Sequence, residues 1–269
     1  MHSVVELRKA TLHWDCFNIG FRQVMLGPPP SDRQTSADGY MIQGSDLPKT
    51  SAQVLDFKAL KTKQRKTRDK FPEAVGLRVH RAISWLGRAE TEKSDYDVRF
   101  ILLWVGFNSA YASEIGAETA GERDSFRAFF DALVKLDGSH RIYDAVWQRF
   151  SQEIRMLLAN KYVFAPFWHK QNDVPGYDDW EARLEASQRL IATAMKQFDT
   201  GRLLTVVFDR LYVLRNQLVH GGATWNGSVN RHQVRDGAAV LGWMLPLFID
   251  IIMDNPSHDW GHPFYPVVE

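Results

Sequence analysis

Apolar residues recur every three or four positions along most of the chain beyond residue 70, which is the period of one face of an α-helix. Pro72 suits the first turn of a helix, and the polar stretch from Ser94 to Asp97 suits the cap of the next one. The pattern predicts helices at about 72–91, 98–111, 123–136, 143–158, 180–198, 202–220 and 232–253. The sequence therefore predicts an all-α fold.

A different pattern occupies the first 70 residues. Up to residue 25, apolar and charged residues are mixed without a clear period, so neither helix nor strand is favoured. The stretch 26–48 is rich in Gly, Pro, Ser and Asp, which predicts a loop or linker. We therefore expect an irregular N-terminal extension over 1–70 that packs on a helical domain over 71–269.

The extension ends in a basic run between residues 61 and 70. Runs of like charge are more often a solvated or flexible surface than a binding site. If the protein acts on RNA, however, this run is the best candidate in the chain for attracting phosphate groups. The candidate phosphate-binding residues in it are Lys61, Lys63, Arg65 and Lys66.

The most informative stretch is the end of the helix predicted at 202–220. Steps of about 100° around that helix place Arg215 in the middle of an apolar stripe formed by Phe208, Leu211, Leu218 and Val219. A guanidinium keeps its charge, so burying it without a partner is costly. Arg215 must then have a carboxylate partner, face a second subunit, or line a cleft that receives an anion.

Asn216 and His220 share a neighbouring face of the same helix, four residues apart. Gly221 and Gly222 follow and suit a left-handed helix cap. On Arg215 and His220 alone, a structural interpretation is the more common one: an internally paired arginine and a histidine that interacts with the helix dipole. A functional interpretation depends on the residues around them.

The motif continues downstream as Gly221-Gly222, Thr224, Ser228, Asn230-Arg231 and Gln233, ahead of an apolar helix. Upstream, residues 81–90 and 100–111 carry two further apolar helical patterns. Together with Arg215, Asn216 and His220, this order resembles the Apea-like branch of the HEPN superfamily. The resemblance spans roughly residues 72 to 255 and implies a HEPN-like helical bundle, in which 122–199 adds inserted helices.

The resemblance implies a metal-independent endoribonuclease without a cofactor. HEPN nucleases place two Arg/His sets in one cleft by dimerisation, so it implies a homodimer with RNA as substrate and with Arg215, Asn216 and His220 as catalytic residues. It further implies a toxin-like or phage-defence setting, with an antitoxin or other regulatory partner. The candidate substrate-binding residues near the motif are Asn108, Thr224, Asn230 and Arg231.

The chemistry of these side chains suits that activity. Without a metal, the RNA 2'-hydroxyl must lose a proton, the leaving 5'-oxygen must gain one, and charge on the phosphoryl oxygens must be neutralised. Histidine, with an ordinary pKa of about 6.5, suits proton transfer near neutral pH. Arginine offers a planar, permanently charged fork to a phosphate. The expected products carry a 2',3'-cyclic phosphate and a 5'-hydroxyl.

Composition narrows the setting. The 269 residues are 45% hydrophobic and 24% charged, which is ordinary for a globular protein of one large or two small domains. The formal net charge is +1, so RNA would have to bind a local basic patch. The single cysteine, Cys16, allows no intramolecular disulfide and suits a reducing compartment. No apolar run has the length of a membrane span, so we expect a cytoplasmic protein without a membrane partner.

Other interpretations stay open beside the nuclease. One is a catalytically silent HEPN module that binds RNA, nucleotide or a partner protein, and another is a purely structural helical dimer. The intact set of Arg215, Asn216 and His220 favours the nuclease over both. A metal site built on the tail residues His258, Asp259 and His262 is a weaker hypothesis, because no fourth ligand is apparent. We expect no metal.

Overall fold

The computed structural model describes residues 55–111, 122–228, 230–263 and 265–267; the predicted extension up to residue 54 lies outside them. These described residues form ten α-helices and no β-strand, which confirms the all-α prediction. The helices are α1 (Phe57–Thr67), α2 (Glu73–Thr91), α3 (Tyr96–Tyr111), α4 (Glu122–Leu136), α5 (Arg141–Asp144), α6 (Ser151–Ala159), α7 (Ala165–Gln171), α8 (Trp180–Gln197), α9 (Thr200–Val219) and α10 (Arg231–Asp254).

Aspartates cap three of the helices that position the candidate site or pack beside it. The side chain of Asp56 accepts a hydrogen bond from the Ala59 N–H at the start of α1. Asp95 accepts from the Val98 N–H at the start of α3, and Asp199 accepts from the Arg202 N–H at the start of α9. Each bond satisfies a backbone donor that the first helical turn leaves without a partner.

The helix predicted over 143–158 is not continuous, and this prediction was wrong. Helix α5 ends at Asp144, a π-helical turn covers Ala145–Arg149, and α6 begins after Phe150. Val146, Phe150 and Ile154 are nonetheless all buried, four residues apart across the break. The apolar period therefore passes through the π-turn undisturbed, and a period of that kind cannot reveal it.

Four helices share an aromatic core. The ring of Phe208 on α9 lies 4.6 Å from the ring of Phe107 on α3 and 4.6 Å from that of Phe130 on α4, measured between centroids. Phe248 on α10 lies 5.8 Å from Phe130, and all four side chains are fully buried. Tilted rings at these separations pack favourably, and they fix α9 and α10 against α3.

Gly237 allows α10 to approach α3 and α9 closely. A Cβ at this position would lie 3.0 Å from the side chain of Leu211 on α9 and 3.0 Å from that of Phe100 on α3. A larger residue would push the three helices apart near the C-terminal end of α9. Close packing therefore holds the motif helix in place just before it ends.

Helix α1 packs on α2 and α10, and residues 54–269 form one compact unit. The Phe57 N–H donates to the Glu90 carboxylate at 2.8 Å, which joins the start of α1 to the end of α2. Burial raises the pKa of the Glu90 carboxyl above its ordinary value. The basic run is thus largely helical and belongs to the same unit as the helices beyond residue 71.

Helix α10 is long and apolar enough to cross a membrane by length and composition, contrary to the expectation that no stretch reaches this length. However, 78% of its most apolar window is buried inside the bundle. Burial of this kind is typical of the core helix of a soluble protein.

Candidate functional site

The motif helix α9 ends where the sequence predicts. The His220 N–H donates to the Asn216 carbonyl at 3.0 Å, and this is the last hydrogen bond of the helix. Gly221 follows with a φ of 73°, the left-handed conformation that glycine adopts without strain. The chain therefore turns away immediately after His220, and the imidazole is left exposed to solvent.

Arg215 is half-buried, one helical turn before His220. Its Nη1 donates to the Asn216 Oδ1 at 2.9 Å, so the amide orients the guanidinium. In the part of the chain that the structure describes, no carboxylate pairs with Arg215. Of the three environments expected for this arginine, a carboxylate partner is therefore not found among the described residues.

The apolar stripe around Arg215 is shorter than the sequence predicts. Phe208 and Leu211 are fully buried, but the exposed fraction of Val219 is 46%. The last turn of α9 extends beyond the core, so the cost of burying Arg215 is smaller than a full core position would impose. The guanidinium can reach solvent.

The loop after His220 is anchored to the N-terminus of α3. The Trp225 Nε1–H donates to the Asp95 carboxylate at 2.8 Å, and the Asn226 N–H donates to Asp97 at 2.8 Å. Hydrogen bonds, first from the Val98 N–H and then from Trp225, hold the pKa of the Asp95 carboxyl below its ordinary value. The two aspartates therefore fix the loop that begins at the candidate catalytic histidine.

Arg231, a predicted substrate-binding residue, is engaged with Asp97. Its Nη1 and Nη2 donate to the two carboxylate oxygens at 2.8 and 2.7 Å, and this pairing raises the pKa of the guanidinium. The side chain of Asp97 is almost fully buried, which makes such a bidentate pair a strong contact. Arg231 closes the loop onto α3, and this contact occupies the guanidinium.

The other two loop candidates differ from each other. Asn230 has a φ of 58° and donates from Nδ2 to the Gln217 Oε1 at 3.1 Å. Gln217 in turn donates to the carbonyl of Tyr162, so Asn230 joins the loop to α9 and to the chain before α7. Thr224 is exposed and accepts the Gly227 N–H at its carbonyl. Asn230 is thereby tied into the scaffold, and Thr224 faces solvent beside the motif.

Asn108 is not brought to the motif. Tyr212 lies beside Trp104 and Phe208 beside Phe107, with ring centroids 6.1 and 4.6 Å apart, so α3 and α9 run antiparallel. This pairing places Asn108 level with Phe208, and the motif begins about two helical turns further along α9. The packing register of the two helices thus sets Asn108 apart from Arg215 along α9, and its role in binding substrate stays a prediction.

The basic run lies at the other end of α10 from the motif. Lys63 pairs with Asp250 and Asp254 on α10, each at 2.6 Å. Asp250 is 19 residues beyond Arg231, which corresponds to about 28 Å along the helix. Within one protomer, the basic run and the motif loop cannot contact the same phosphate.

The remaining predicted residues of the run are less constrained. Lys61 donates to the Gln64 Oε1 at 2.9 Å within α1. Arg65 and Lys66 are exposed on the same helix. They form a solvated basic surface of α1, and their role in attracting RNA stays a prediction.

The tail residues considered for a metal are exposed, beside a tryptophan that packs against the bundle. His258 lies edge-on to Trp260, with ring centroids 4.7 Å apart, and Asp259 accepts the Gly261 N–H. Trp260 is buried, and its carbonyl accepts from Arg78 on α2. Among the described residues, no group of three or more His, Cys, Asp or Glu side chains could hold a metal ion.

Sequence reasoning missed the residues that support the motif. Asp95 and Asp97 were recognised as a helix cap, but their contacts to Trp225 and Arg231 join segments about 130 residues apart. Nothing in the sequence marked Gln217 as a supporting residue, because amide side chains are common on helix surfaces. Such long-range partners become visible only once the helices are packed.

Comparisons with protein-family models, with curated proteins and with solved structures found no match to this chain. The functional assignment therefore depends on the geometry of the motif and on the resemblance of its residues.

Proposed function

We propose that this protein is a metal-independent endoribonuclease of HEPN-like type, acting as a homodimer. The observation that carries the proposal is the C-terminal turn of α9. There, an arginine oriented by Asn216, with no carboxylate partner among the described residues, precedes an exposed histidine by one helical turn. This combination offers a phosphate both a fixed positive charge and a proton-transfer group.

In the proposed reaction, the RNA 2'-hydroxyl attacks the adjacent phosphorus and the bond from phosphorus to the 5'-oxygen breaks. His220 of one protomer accepts the proton of the 2'-hydroxyl. The partner subunit's His220 donates a proton to the leaving 5'-oxygen. Arg215 neutralises the charge on the phosphoryl oxygens, and Asn216 keeps its guanidinium in position. The products carry a 2',3'-cyclic phosphate and a 5'-hydroxyl.

A dimer is part of the proposal because one protomer offers a single histidine at the motif. Two apolar side chains are exposed on either side of His220: Val219 with an exposed fraction of 46% and Trp225 with 70%. A two-fold contact at the ends of two α9 helices would cover them and place both motifs in one cleft. Sedimentation at micromolar protein is expected to give a dimer, and Val219→Glu is expected to give a monomer that does not cleave RNA.

The biological setting we propose is toxin-like or antiviral, with an antitoxin or another regulatory partner, in the cytoplasm. This part of the proposal is supported by the resemblance of the motif. Expression of the protein in bacterial cells is expected to arrest growth, and the His220→Ala variant is expected not to. Growth arrest by both forms alike would separate toxicity from the motif.

The experiment that tests the activity is incubation of purified protein with transfer RNA and total RNA in the presence of EDTA. Cleavage is expected, and mapping of the ends is expected to give 2',3'-cyclic phosphates and 5'-hydroxyls. A two-metal nuclease would be inhibited by the chelator. Binding of RNA without cleavage would instead indicate the catalytically silent module.

A further inference from the structure

A second cleft lies between α3, α10 and the π-helical turn that precedes α6. Its volume is about 490 Å³, which is within the range of small-ligand sites. Its lining includes three arginines and two aromatic residues with polar edges: Arg99, Arg149, Arg235, Tyr96 and Trp243. The cleft is separate from the Arg215 motif and plays no part in the reaction described above.

The arginines of the cleft are only partly satisfied. The guanidinium of Arg149 lies over Trp243, with its central carbon 3.7 Å from the ring centroid. The Nε of Arg99 is buried without a hydrogen-bond partner, and no described carboxylate pairs with Arg99 or Arg149. Arg235 is exposed, and its one ion pair among the described residues is with its neighbour Asp236, at 3.1 Å. Three arginines thus face the cleft beside the carboxylates of Glu153 and Asp236, so positive charges outnumber negative ones in its lining.

Gly242 on α10 lines the cleft. A Cβ at this position would lie 3.3 Å from the Nη2 of Arg99, which is tighter than an ordinary contact. The absence of a side chain lets the Arg99 guanidinium lie against α10 and leaves room above it.

We propose that this cleft binds a nucleotide, either free or as one unit of an RNA strand. Its phosphate contacts Arg99, Arg149 and Arg235, whose planar forks match phosphate oxygens. Its base stacks on the ring of Tyr96, as bases do in single-strand binding sites, while Trp243 carries the guanidinium of Arg149. The carboxylate of Glu153, also in the cleft, accepts hydrogen bonds from ribose hydroxyls or from a base amino group.

The position of the cleft relates it to the motif. Tyr96 precedes Asp97 on α3, and Arg235 lies one helical turn after Arg231 on α10. The ion pair between Asp97 and Arg231 therefore separates the cleft from the loop that follows His220. A strand bound across this ion pair would reach both sites, so the proposal deepens the proposed ribonuclease function, and its RNA arm rests on that function.

Isothermal titration calorimetry on the full chain tests the proposal with three probes: ATP, inorganic phosphate and a short 2'-O-methyl RNA, which cannot be cleaved. ATP or the oligonucleotide is expected to bind, and phosphate is expected to bind more weakly than either because it lacks a base. Arg149→Gln and Arg235→Gln, both at exposed positions, are each expected to raise the Kd about ten- to hundredfold. Trp243→Leu is expected to raise it about tenfold, because Arg149 loses the ring over which it lies.

The matched control is Arg189→Gln, an exposed arginine on α8 outside the cleft, which is expected to leave the Kd unchanged. Binding of ATP alone would identify a site for a free nucleotide, and binding of the oligonucleotide alone would identify a strand subsite. Absence of binding by all three probes, or equal affinity of the wild type and the cleft variants, would overturn the proposal. Because no probe is cleaved, the result stays readable if the ribonuclease activity is absent.

Discussion

Helix α10 connects two groups of charged side chains that differ in how far their charges are satisfied. Towards its C-terminal end, the buried carboxylate of Asp250 pairs with Lys63 and with Arg141, each at 2.6 Å. Beyond its N-terminal end, Arg215 bonds only to an amide among the described residues, and His220 is exposed. The charges of the first group are paired with one another, and we call it the closed group. The second group keeps charge that can receive a ligand.

This difference shows why a run of charge is a poor guide to a binding site. The run from Lys61 to Lys70 is the most basic stretch of the chain, yet Lys63 is used to hold α1 onto α10. Arg215 belongs to an unremarkable stretch of composition and keeps its charge available. Whether a positive charge is available to a ligand depends on which carboxylates lie near it in the packed fold.

The largest expected effect is the loss of RNA cleavage when the motif side chains are removed. His220→Ala and Arg215→Ala are each expected to lower RNA cleavage by about 10²- to 10⁴-fold, because a proton-transfer group or a phosphate contact is lost. The melting temperature is expected to stay unchanged, since His220 is exposed and Arg215 half-buried. Asn216→Ala is expected to lower cleavage less, because it only positions Arg215.

Two control variants replace the same residue types, a histidine and an arginine, outside the motif. His258→Ala and Arg189→Ala replace an exposed histidine and an exposed arginine far from the motif, and both are expected to cleave RNA at the wild-type rate. Wild-type activity in His220→Ala would remove the catalytic assignment. Loss of activity in His258→Ala would instead favour the metal hypothesis for the tail.

Asp97→Ala is expected to have the next largest effect, this time on stability. It leaves the Arg231 guanidinium without its bidentate partner and frees the Asn226 N–H. We expect a loss of about 2–3 kcal/mol in the free energy of unfolding. Cleavage should also fall, because the loop after His220 loses its anchor. Denaturant unfolding measures the first effect, and Asp97→Asn, which keeps one acceptor, should lose less.

Arg141→Ala tests the group around Asp250, where we expect an effect on stability but not on cleavage. It removes one of the two cations on Asp250 and also a contact to Asp137 at 3.3 Å. Because Lys63 still pairs with Asp250, we expect a loss of about 1–2 kcal/mol in the free energy of unfolding. RNA cleavage per folded molecule should not change. A loss of cleavage without a loss of stability would mean that the closed group takes part in function.

The smallest expected effect concerns pH and Asp95. The pKa of this carboxyl is lowered in the folded protein, so its contribution to stability is fully present above the unfolded pKa of about 3.9. That contribution is lost as the pH falls through the lower, folded value. Wild-type protein should therefore lose more stability below pH of about 4 than Asp95→Asn does. Parallel stability profiles of the two forms would show that the pKa of Asp95 is not lowered in the folded protein.

The sequence predicted the elements of the fold better than their contacts. The boundaries of α2, α9 and α10 follow from apolar period, Pro72 and the glycines after His220, which act locally along the chain. The π-turn before Phe150 was missed because the apolar spacing continues through it. Local patterns therefore specify where helices begin and end, but not every change of helix type inside them.

The candidate site was only partly predictable for a related reason. Arg215, Asn216 and His220 lie within six residues of one helix, so their proximity follows from helix geometry alone. The partners of Arg231 and Lys63 lie on other helices, and the position of Asn108 depends on the packing register of α3 and α9. Contacts between distant segments required the packed structure.

The central claim is that the substrate's own 2'-hydroxyl is the nucleophile at the Arg215 and His220 motif. The most direct measurement uses an RNA oligonucleotide with a single 2'-deoxy residue at the mapped cleavage position, compared with the all-ribose strand in EDTA. The modified strand keeps its phosphates and bases, so we expect it to bind with the same affinity and to remain uncut at that position. Cleavage of the 2'-deoxy strand at the normal rate would mean that water attacks, and would contradict the assignment of this chemistry to the motif.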